Sequence, residues 1–357
     1  MSRVLLVGKG TPDRGGIATY IEAVLGSEIR RHHELRFLNL YRADDRRGGR
    51  LNRANLLRTF ADARAVRRAS RAADIVHLHT ALLPLVTMLR AGLLARAARA
   101  AGARVLLHVH SGLAQTWLTS AGRRSMAHRV LAPVDKVITV TEGSRGSLQA
   151  VLSRDRVVLI DNGVEVSAFG PQPEPHDPPR ILYVGVLSPR KGVIDLLRAA
   201  ARLTERGIPH EVWLAGGTPE EGARPEAEVR AAAGPTVRFL GVQPREAMPS
   251  LYRDADLFCL PSWYEGMPLS LLEAMASGLP VVASDVGDIA RAITDSVTGH
   301  LVPAQDVERL IAALEPLLLQ PAVRRRMGQA GRQRVEDRFD MATTCARLDA
   351  LYTEMRP

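Results

Sequence analysis

The chain has 357 residues, 46% of them hydrophobic, which suits two domains of common size better than one ordinary core. Its two cysteines, Cys259 and Cys345, exclude a disulfide framework, and no apolar run approaches the roughly 18–20 residues of a membrane-spanning helix. The formal net charge is +10 and almost wholly arginine, since Lys9, Lys136 and Lys191 are the three lysines; it attracts anionic partners but decides no function class by itself.

The opening MSRVLLVGKG has the pattern of a buried strand, not of a signal peptide. Strands are predicted at residues 3–7, 34–39, 75–79, 104–109, 136–140 and 157–160, with helices over 18–31, 51–71, 83–101 and 143–152. Residues 170–179, GPQPEPHDPP, can join neither a helix nor a central strand and read as a stiff linker. The alternation then restarts, with strands at 180–184, 211–215, 236–239, 257–260, 280–283 and 299–302. Helices fill 192–206, 223–233, 245–252, 269–276, 289–294 and 306–319. Short apolar strands alternating with amphipathic helices predict an α/β fold of two Rossmann-like parallel-sheet domains, with ligands at the carboxyl ends of the strands in a cleft that the halves face.

Several patterns carry chemistry. Gly15 and Gly16 follow the first strand in GKGTPDRGG, where missing Cβ atoms let the backbone approach a phosphate. The loop is no dinucleotide fingerprint, because Asp13 stands where glycine is required, and no Walker loop, because no Lys-Ser/Thr follows. His77/His79 and His108/His110 are H-x-H pairs, and strand alternation puts each pair on one face. Such pairs raise the idea of a metal centre, but strand-end histidines also pack inside, and none is assigned. Asp254-Ala255-Asp256 spells the D-x-D of metal-dependent sugar transferases, yet it precedes a buried strand, at the end away from the ligand side, and reads as a strand-entry turn.

Between Arg42 and Arg71 lie ten arginines (42, 46, 47, 50, 53, 58, 64, 67, 68, 71) against three aspartates, with Leu51, Leu57 and Phe60 as an apolar stripe. This is either a helix for an anionic membrane or phosphorylated groups, or a basic solvent face packed inward through its leucines.

The most informative segment is residues 261–288, PSWYEGMPLSLLEAMASGLPVVASDVGD. Glu265 sits on a Gly/Pro turn after the buried strand LFCL. Pro268 is placed as the first helical residue, leaving the N–H groups of Leu269 and Ser270 as an anion site. Glu273, farther along that helix, addresses another part of the same ligand.

This segment resembles glycosyltransferase family 4, of the GT-B fold: Glu265 and Glu273 match its E-x7-E motif within P-S-x-x-E-G-x-P-x-x-x-x-E-A-M-A-x-G-x-P-V-V. Gly15-Gly16, His110, Asn162-Gly163-Val164 with Phe169, Val184-Gly185 through Arg190-Lys191-Gly192, Phe239-Leu240-Gly241 and Asp285-Val286-Gly287 agree in order, so the resemblance covers nearly the whole chain. It implies a retaining, metal-independent transferase with no cofactor beyond a nucleotide-sugar substrate, a UDP- or GDP-sugar being favoured. Glu265 would bind the donor sugar's hydroxyls, Glu273 the ribose, and Lys191 the leaving diphosphate. The backbone of Gly266, Met267, Pro268, Leu269 and Ser270 would hold sugar and phosphates, and Gly241 and Val242 would complete the donor site. His110 would sit near the sugar. A glycan or lipid-linked acceptor is implied, held by the first domain, residues 1–169 completed by a C-terminal helix at 341–357; residues 180–340 would bind the donor. No nucleic-acid partner is expected, and the location implied is cytoplasmic or peripheral to the membrane.

Two positions depart from the pattern. Val186 stands where the family has a diphosphate-binding arginine, making Arg190 the candidate replacement. Arg291 stands where a glutamate is usual, read as a surface substitution. A nucleotide-sugar 2-epimerase of the same fold would need acid–base carboxylates that are not evident. A degenerate basic scaffold is disfavoured by the intact Glu265, Lys191 and His110.

Overall fold

The computed structural model describes residues 1–12, 15–41, 53–83, 85–171, 174–218 and 223–356. Two compact units emerge: residues 1–163 with 341–357, and residues 164–340.

In the first unit, strands β1 (Ser2–Gly8), β2 (His33–Asn39), β3 (Ile75–Thr80), β4 (Arg104–Val109), β5 (Lys136–Thr139) and β6 (Val157–Leu159) form a parallel sheet ordered β2-β1-β3-β4-β5-β6. Both faces are covered, which is why the strands are near-continuous apolar runs. Leu5, Val7, Val76, Leu78 and Leu107 pack with Ala63 and Val66 of the helix Arg53–Ser70 and with Met88 and Leu94 of the helix Leu85–Arg99. Val4, Leu6, Ile75 and Leu106 on the other face pack with Tyr20, Ile21 and Val24 of the helix Gly16–Gly26 and with Leu348 and Tyr352 of the helix Met341–Glu354. Asp349 accepts from His32 Nδ1 at 3.1 Å and His33 Nε2 at 2.8 Å, anchoring that last helix to the start of β2.

In the second unit, β7 (Arg180–Val184), β8 (Glu211–Ala215), β9 (Val237–Gly241), β10 (Leu257–Leu260), β11 (Val281–Ser284) and β12 (Gly299–Val302) form a parallel sheet ordered β12-β11-β10-β7-β8-β9. The chain runs outward from β7 through β8 and β9, then returns to lay β10 on the other side of β7. The direction of winding therefore reverses between β7 and β10, and the loops leaving these neighbours open a crevice at their carboxyl ends.

Three expectations need correction. The boundary falls at Gly163/Val164 rather than within the proline-dense stretch. His176, from that stretch, donates its backbone N–H to Asp256 Oδ1 at 3.1 Å and pairs through Nδ1 with Oδ2 at 3.0 Å, which fastens it to the second unit. The helix Pro321–Arg338 had no counterpart in the periodicity, because its 18 residues are too polar to show an apolar stripe. Finally, the helix Leu269–Ala276 has the predicted bounds, but Pro268, placed as its first helical residue, has extended backbone (φ −73°, ψ 128°) and is the N-cap, a place its fixed φ suits equally well.

The arginines of Pro321–Arg338 show what that polar helix does. Arg332 Nη1 donates to the carbonyls of Ala276 and Phe169, the former at the end of the helix Leu269–Ala276. Arg324 Nη1 donates to Leu317 and Leu318 at 2.7 and 3.0 Å, the end of the helix Val307–Leu319. Arg334 donates to Arg291 and Ala292 at 2.7 and 2.6 Å, the end of Ile289–Ala292. Each guanidinium supplies donors and positive charge where a helix leaves carbonyls unsatisfied.

Candidate functional site

The crevice of the second sheet gathers most of the residues singled out from sequence. The loop after β7 carries Lys191 and the loop after β10 carries Glu265. Lys191 Nζ lies 2.7 Å from Glu265 Oε1, which also accepts from Ser262 Oγ at 2.8 Å. Glu265 is buried, at 8% exposure, so its charge needs these partners. The two loops are tied along their backbones, since Trp263 N–H donates to Arg190 O at 3.0 Å. Trp263 Nε1 reaches Asp195 Oδ2 at 2.7 Å. Gly192, at φ +69°, lies so close that a Cβ would stand 1.8 Å from Pro261 O; only glycine fits there.

A third loop supports Glu265 from beneath. Gly287 has φ +61°, and a Cβ on it would stand 2.2 Å from Glu265 O, while Asp288 N–H donates to Gly266 O at 3.1 Å. Arg291 Nη1 pairs with buried Asp288 at 3.1 Å and is itself half-buried. Arg291 is therefore no plain surface substitution, as the sequence reading had it. It holds the aspartate that holds the Glu265–Gly266 turn.

Leu269, Ser270 and Leu271 open the eight-residue helix after Pro268, where first-turn N–H groups have no partner inside the helix. Met267 is buried, and Gly266, Pro268, Leu269 and Ser270 are partly exposed. Glu273, on the next turn, is held by Tyr252, whose hydroxyl donates to Oε2 at 2.8 Å and also lies 3.2 Å from Ser270 O. Burial raises the Glu273 carboxyl above the ordinary glutamate range, against the hydrogen bond from Tyr252. Sequence reading missed Tyr252, Asp195 and Asp288, because each acts through a partner distant in the chain, and Ser262, whose partner Glu265 is only three residues on but whose hydroxyl carries no pattern of its own.

Val186 is exposed at 37% where an arginine was expected, and Arg190 is exposed in the short 3-10 turn Pro189–Lys191. Gly241 ends β9 at φ +68° and donates no side chain, and Val242 beside it is 53% exposed.

In the first unit, Gly15 caps the helix Gly16–Gly26 with extended backbone, and both glycines are exposed. Asp13, between them and β1, lies outside the described residues, as do Arg42, Arg46, Arg47, Arg50 and Leu51 of the basic stretch. The two H-x-H pairs converge. His79 on β3 is the register partner of His108 on β4, and His79 Nδ1 lies 3.0 Å from His110 Nε2. Desolvation pushes His77 and His110 down to about 3, and His79 and His108 well below the ordinary histidine value, so all four rings are neutral near pH 7. Asp256 of the D-x-D also accepts from Arg180 N–H at 2.9 Å, and both its oxygens serve the fold.

Residues 14–168 match the model of Glycosyltransferase Family 4 and residues 167–334 that of Glycosyl transferases group 1. The chain is 32% identical over 292 residues to the phosphatidyl-myo-inositol mannosyltransferase of Mycobacterium leprae, covering 78% of this chain and 73% of that one. It is 27% identical over 379 residues to the GDP-mannose-dependent alpha-(1-6)-phosphatidylinositol monomannoside mannosyltransferase of Mycolicibacterium smegmatis, covering 99% and 98%. With the D-inositol 3-phosphate glycosyltransferase of Kribbella flavida it shares 32% identity over 222 residues, 57% of this chain and only about half (52%) of that relative. The solved sucrose-phosphate synthase of Thermosynechococcus elongatus superposes with a TM-score of 0.80 at 23% identity over 99% of both chains, which shows the shared fold. Two parallel-sheet units, an E-x7-E helix at the winding reversal of the second sheet, and matches spanning both halves agree: the chain belongs to glycosyltransferase family 4, with the GT-B fold.

Proposed function

We propose that the protein is a retaining glycosyltransferase that moves a sugar from a nucleotide-diphosphate donor to a glycan or glycolipid acceptor, with no catalytic metal. The observation that carries the reading is the Lys191–Glu265 pair, set at the winding reversal beside a helix N-terminus. In this reading the N–H groups opening Leu269–Ala276 and the Lys191 ammonium hold the diphosphate. Glu265, once Lys191 turns to the phosphate, accepts from sugar hydroxyls, and Glu273 accepts from the ribose. His110 is proposed as a further hydrogen-bonding group for the sugar, and the backbone at Gly15 and Gly16 as a phosphate contact.

As the glycosidic bond stretches, charge grows on the leaving phosphate, and Lys191 stabilises it more in the transition state than in the ground state. The acceptor oxygen bonds to the anomeric carbon on the face the phosphate leaves, and the departing phosphate oxygen takes the acceptor's proton. Configuration is retained without a side-chain nucleophile. The names of the mycobacterial relatives favour GDP-mannose as the first donor to try and inositol lipids as first acceptors. The proposed role is in cell-envelope or exopolysaccharide synthesis.

The proposal extends to peripheral attachment at the cytoplasmic face of an anionic membrane. No described helix is long and apolar enough to cross one. Leu56, Leu57 and Phe60 of the helix Arg53–Ser70 are 56%, 71% and 51% exposed beside Arg53 and Arg64, so these leucines are not packed inward. An exposed apolar stripe with basic flanks suits an acidic lipid surface.

The test is thermal shift and turnover with UDP-, GDP- and ADP-sugars in EDTA, comparing the wild type with Lys191→Ala and Glu265→Ala. One donor stabilising and being consumed by the wild type, with both variants impaired, is the expected result. No donor stabilising the protein, or an absolute need for Mg²⁺ or Mn²⁺, would overturn the proposal.

A further inference from the structure

We propose that His77, His79 and His108 bind one zinc-like divalent transition-metal ion as a structural centre in the core of the first unit. Strand alternation puts His77 and His79 on one face of β3, and parallel register sets His108 of β4 opposite His79. One nitrogen from each ring lies within 4.8 Å of the others. The rings of His77 and His108 are stacked at 5.4 Å, and Tyr20 meets His108 edge-on at 4.9 Å.

Hydrogen bonding leaves buried nitrogens on all three rings without partners. His77 Nδ1 lies 2.7 Å from the Tyr352 hydroxyl and His79 Nδ1 3.0 Å from His110 Nε2. With Nδ1–H donated in both pairs, the lone pairs of His77 and His79 fall on Nε2, and these buried atoms have no partner. Both nitrogens of His108 are likewise buried without partners, and a neutral imidazole carries one lone pair. In those tautomers each of the three clustered rings offers a lone pair, whereas a single water has two O–H groups. A cation answers all three at once.

Tetrahedral zinc–imidazole geometry sets nitrogens about 3.3 Å apart, so the ligands must draw in, which small rotations of the rings supply. A water completes the fourth position, and the Tyr20 hydroxyl, also buried and unpartnered, is the neighbouring group suited to hold it. The ion takes no part in sugar transfer, and the inference stands whether or not a donor is found.

The test uses the tag-free full-length chain, stripped by prolonged dialysis against EDTA and titrated with Co²⁺ and then Zn²⁺. The expected result is one cobalt per chain with the intense visible absorption of a tetrahedral site, displaced by zinc, and a zinc-raised unfolding temperature. His77→Gln and His108→Gln should each weaken cobalt binding at least about tenfold. His210→Gln, at a buried histidine of the other unit, should leave it unchanged. A wild type that takes up neither ion, or affinity unaltered in both cluster variants, would overturn the proposal and leave the pocket to ordered water. Should His77→Gln fail to fold, the wild-type titration and His108→Gln still decide.

Discussion

Lys191 Nζ donates to Glu265 Oε1 at 2.7 Å, joining the loops that leave two adjacent strands on either side of the winding reversal. The pair gives the buried carboxylate a counter-charge and keeps an ammonium at the place where a leaving phosphate needs one. Replacing Lys191 with Met should therefore act twice. Donor turnover should fall about 100-fold or more, as when a transition-state charge partner is removed. The free protein should lose about 1–3 kcal/mol in urea unfolding, because among the described residues Glu265 then keeps only the Ser262 hydroxyl as a side-chain donor. Unchanged kcat in Lys191→Met would remove Lys191 from the mechanism.

Gly287 should tolerate no side chain. Its φ of +61° and the 2.2 Å approach to Glu265 O mean that Gly287→Ala must shift the turn carrying the glutamate. A loss of about 1–3 kcal/mol is expected, with weaker donor binding measured by calorimetry. Wild-type affinity in a stably folded variant would show that the turn is set by other contacts.

Glu273 gives a pH dependence with a definite sign. Burial raises its folded-state pKa above the unfolded value, so between those two values the folded state binds more protons. Its contribution thus favours folding at low pH and is lost as pH rises through the folded pKa, the full cost being present above it. Glu273→Gln should remove that cost and stabilise the donor-free protein near neutral pH. The same change should weaken donor binding, because a carboxylate accepts more strongly from ribose hydroxyls than an amide. Denaturant midpoints between pH 4 and 8, roughly spanning the carboxyl range, compare the two proteins. A parallel pH profile in the variant would contradict this account.

Arg332→Ala should lower stability by about 1–3 kcal/mol, since the carbonyls of Ala276 and Phe169 lose their donor. Arg332→Lys should recover only part of this, because an ammonium lacks the guanidinium's fixed fork. Equal stability of all three proteins in guanidinium titration would show that water replaces the arginine without loss.

Serine at Leu56, Leu57 and Phe60 together should leave stability within about 0.5 kcal/mol, because these side chains are exposed. Co-sedimentation with vesicles containing phosphatidylinositol should fall severalfold, while neutral vesicles bind neither protein. Undiminished sedimentation would separate the apolar stripe from membrane attachment.

All twelve strands were legible in the sequence because both sheets are parallel and most of their strands are buried, which makes them short apolar runs between helices. Glu265, Lys191 and Glu273 were legible too, since proline, glycine and charge cluster at loops that immediately follow strands. The helix Pro321–Arg338 escaped because its arginines serve carbonyls at the ends of other helices, a role with no period in its own segment. Arg291 looked like a surface change because its meaning depends on Asp288 and on a turn more than twenty residues upstream. The convergence of His77, His79 and His108 needed the register between β3 and β4, which no local pattern encodes. Local chemistry, then, fixed the elements and the loops that carry charge. Strand order and register decided which of those charges and rings meet, because parallel pairing joins segments whose separation along the chain says nothing about their distance in space.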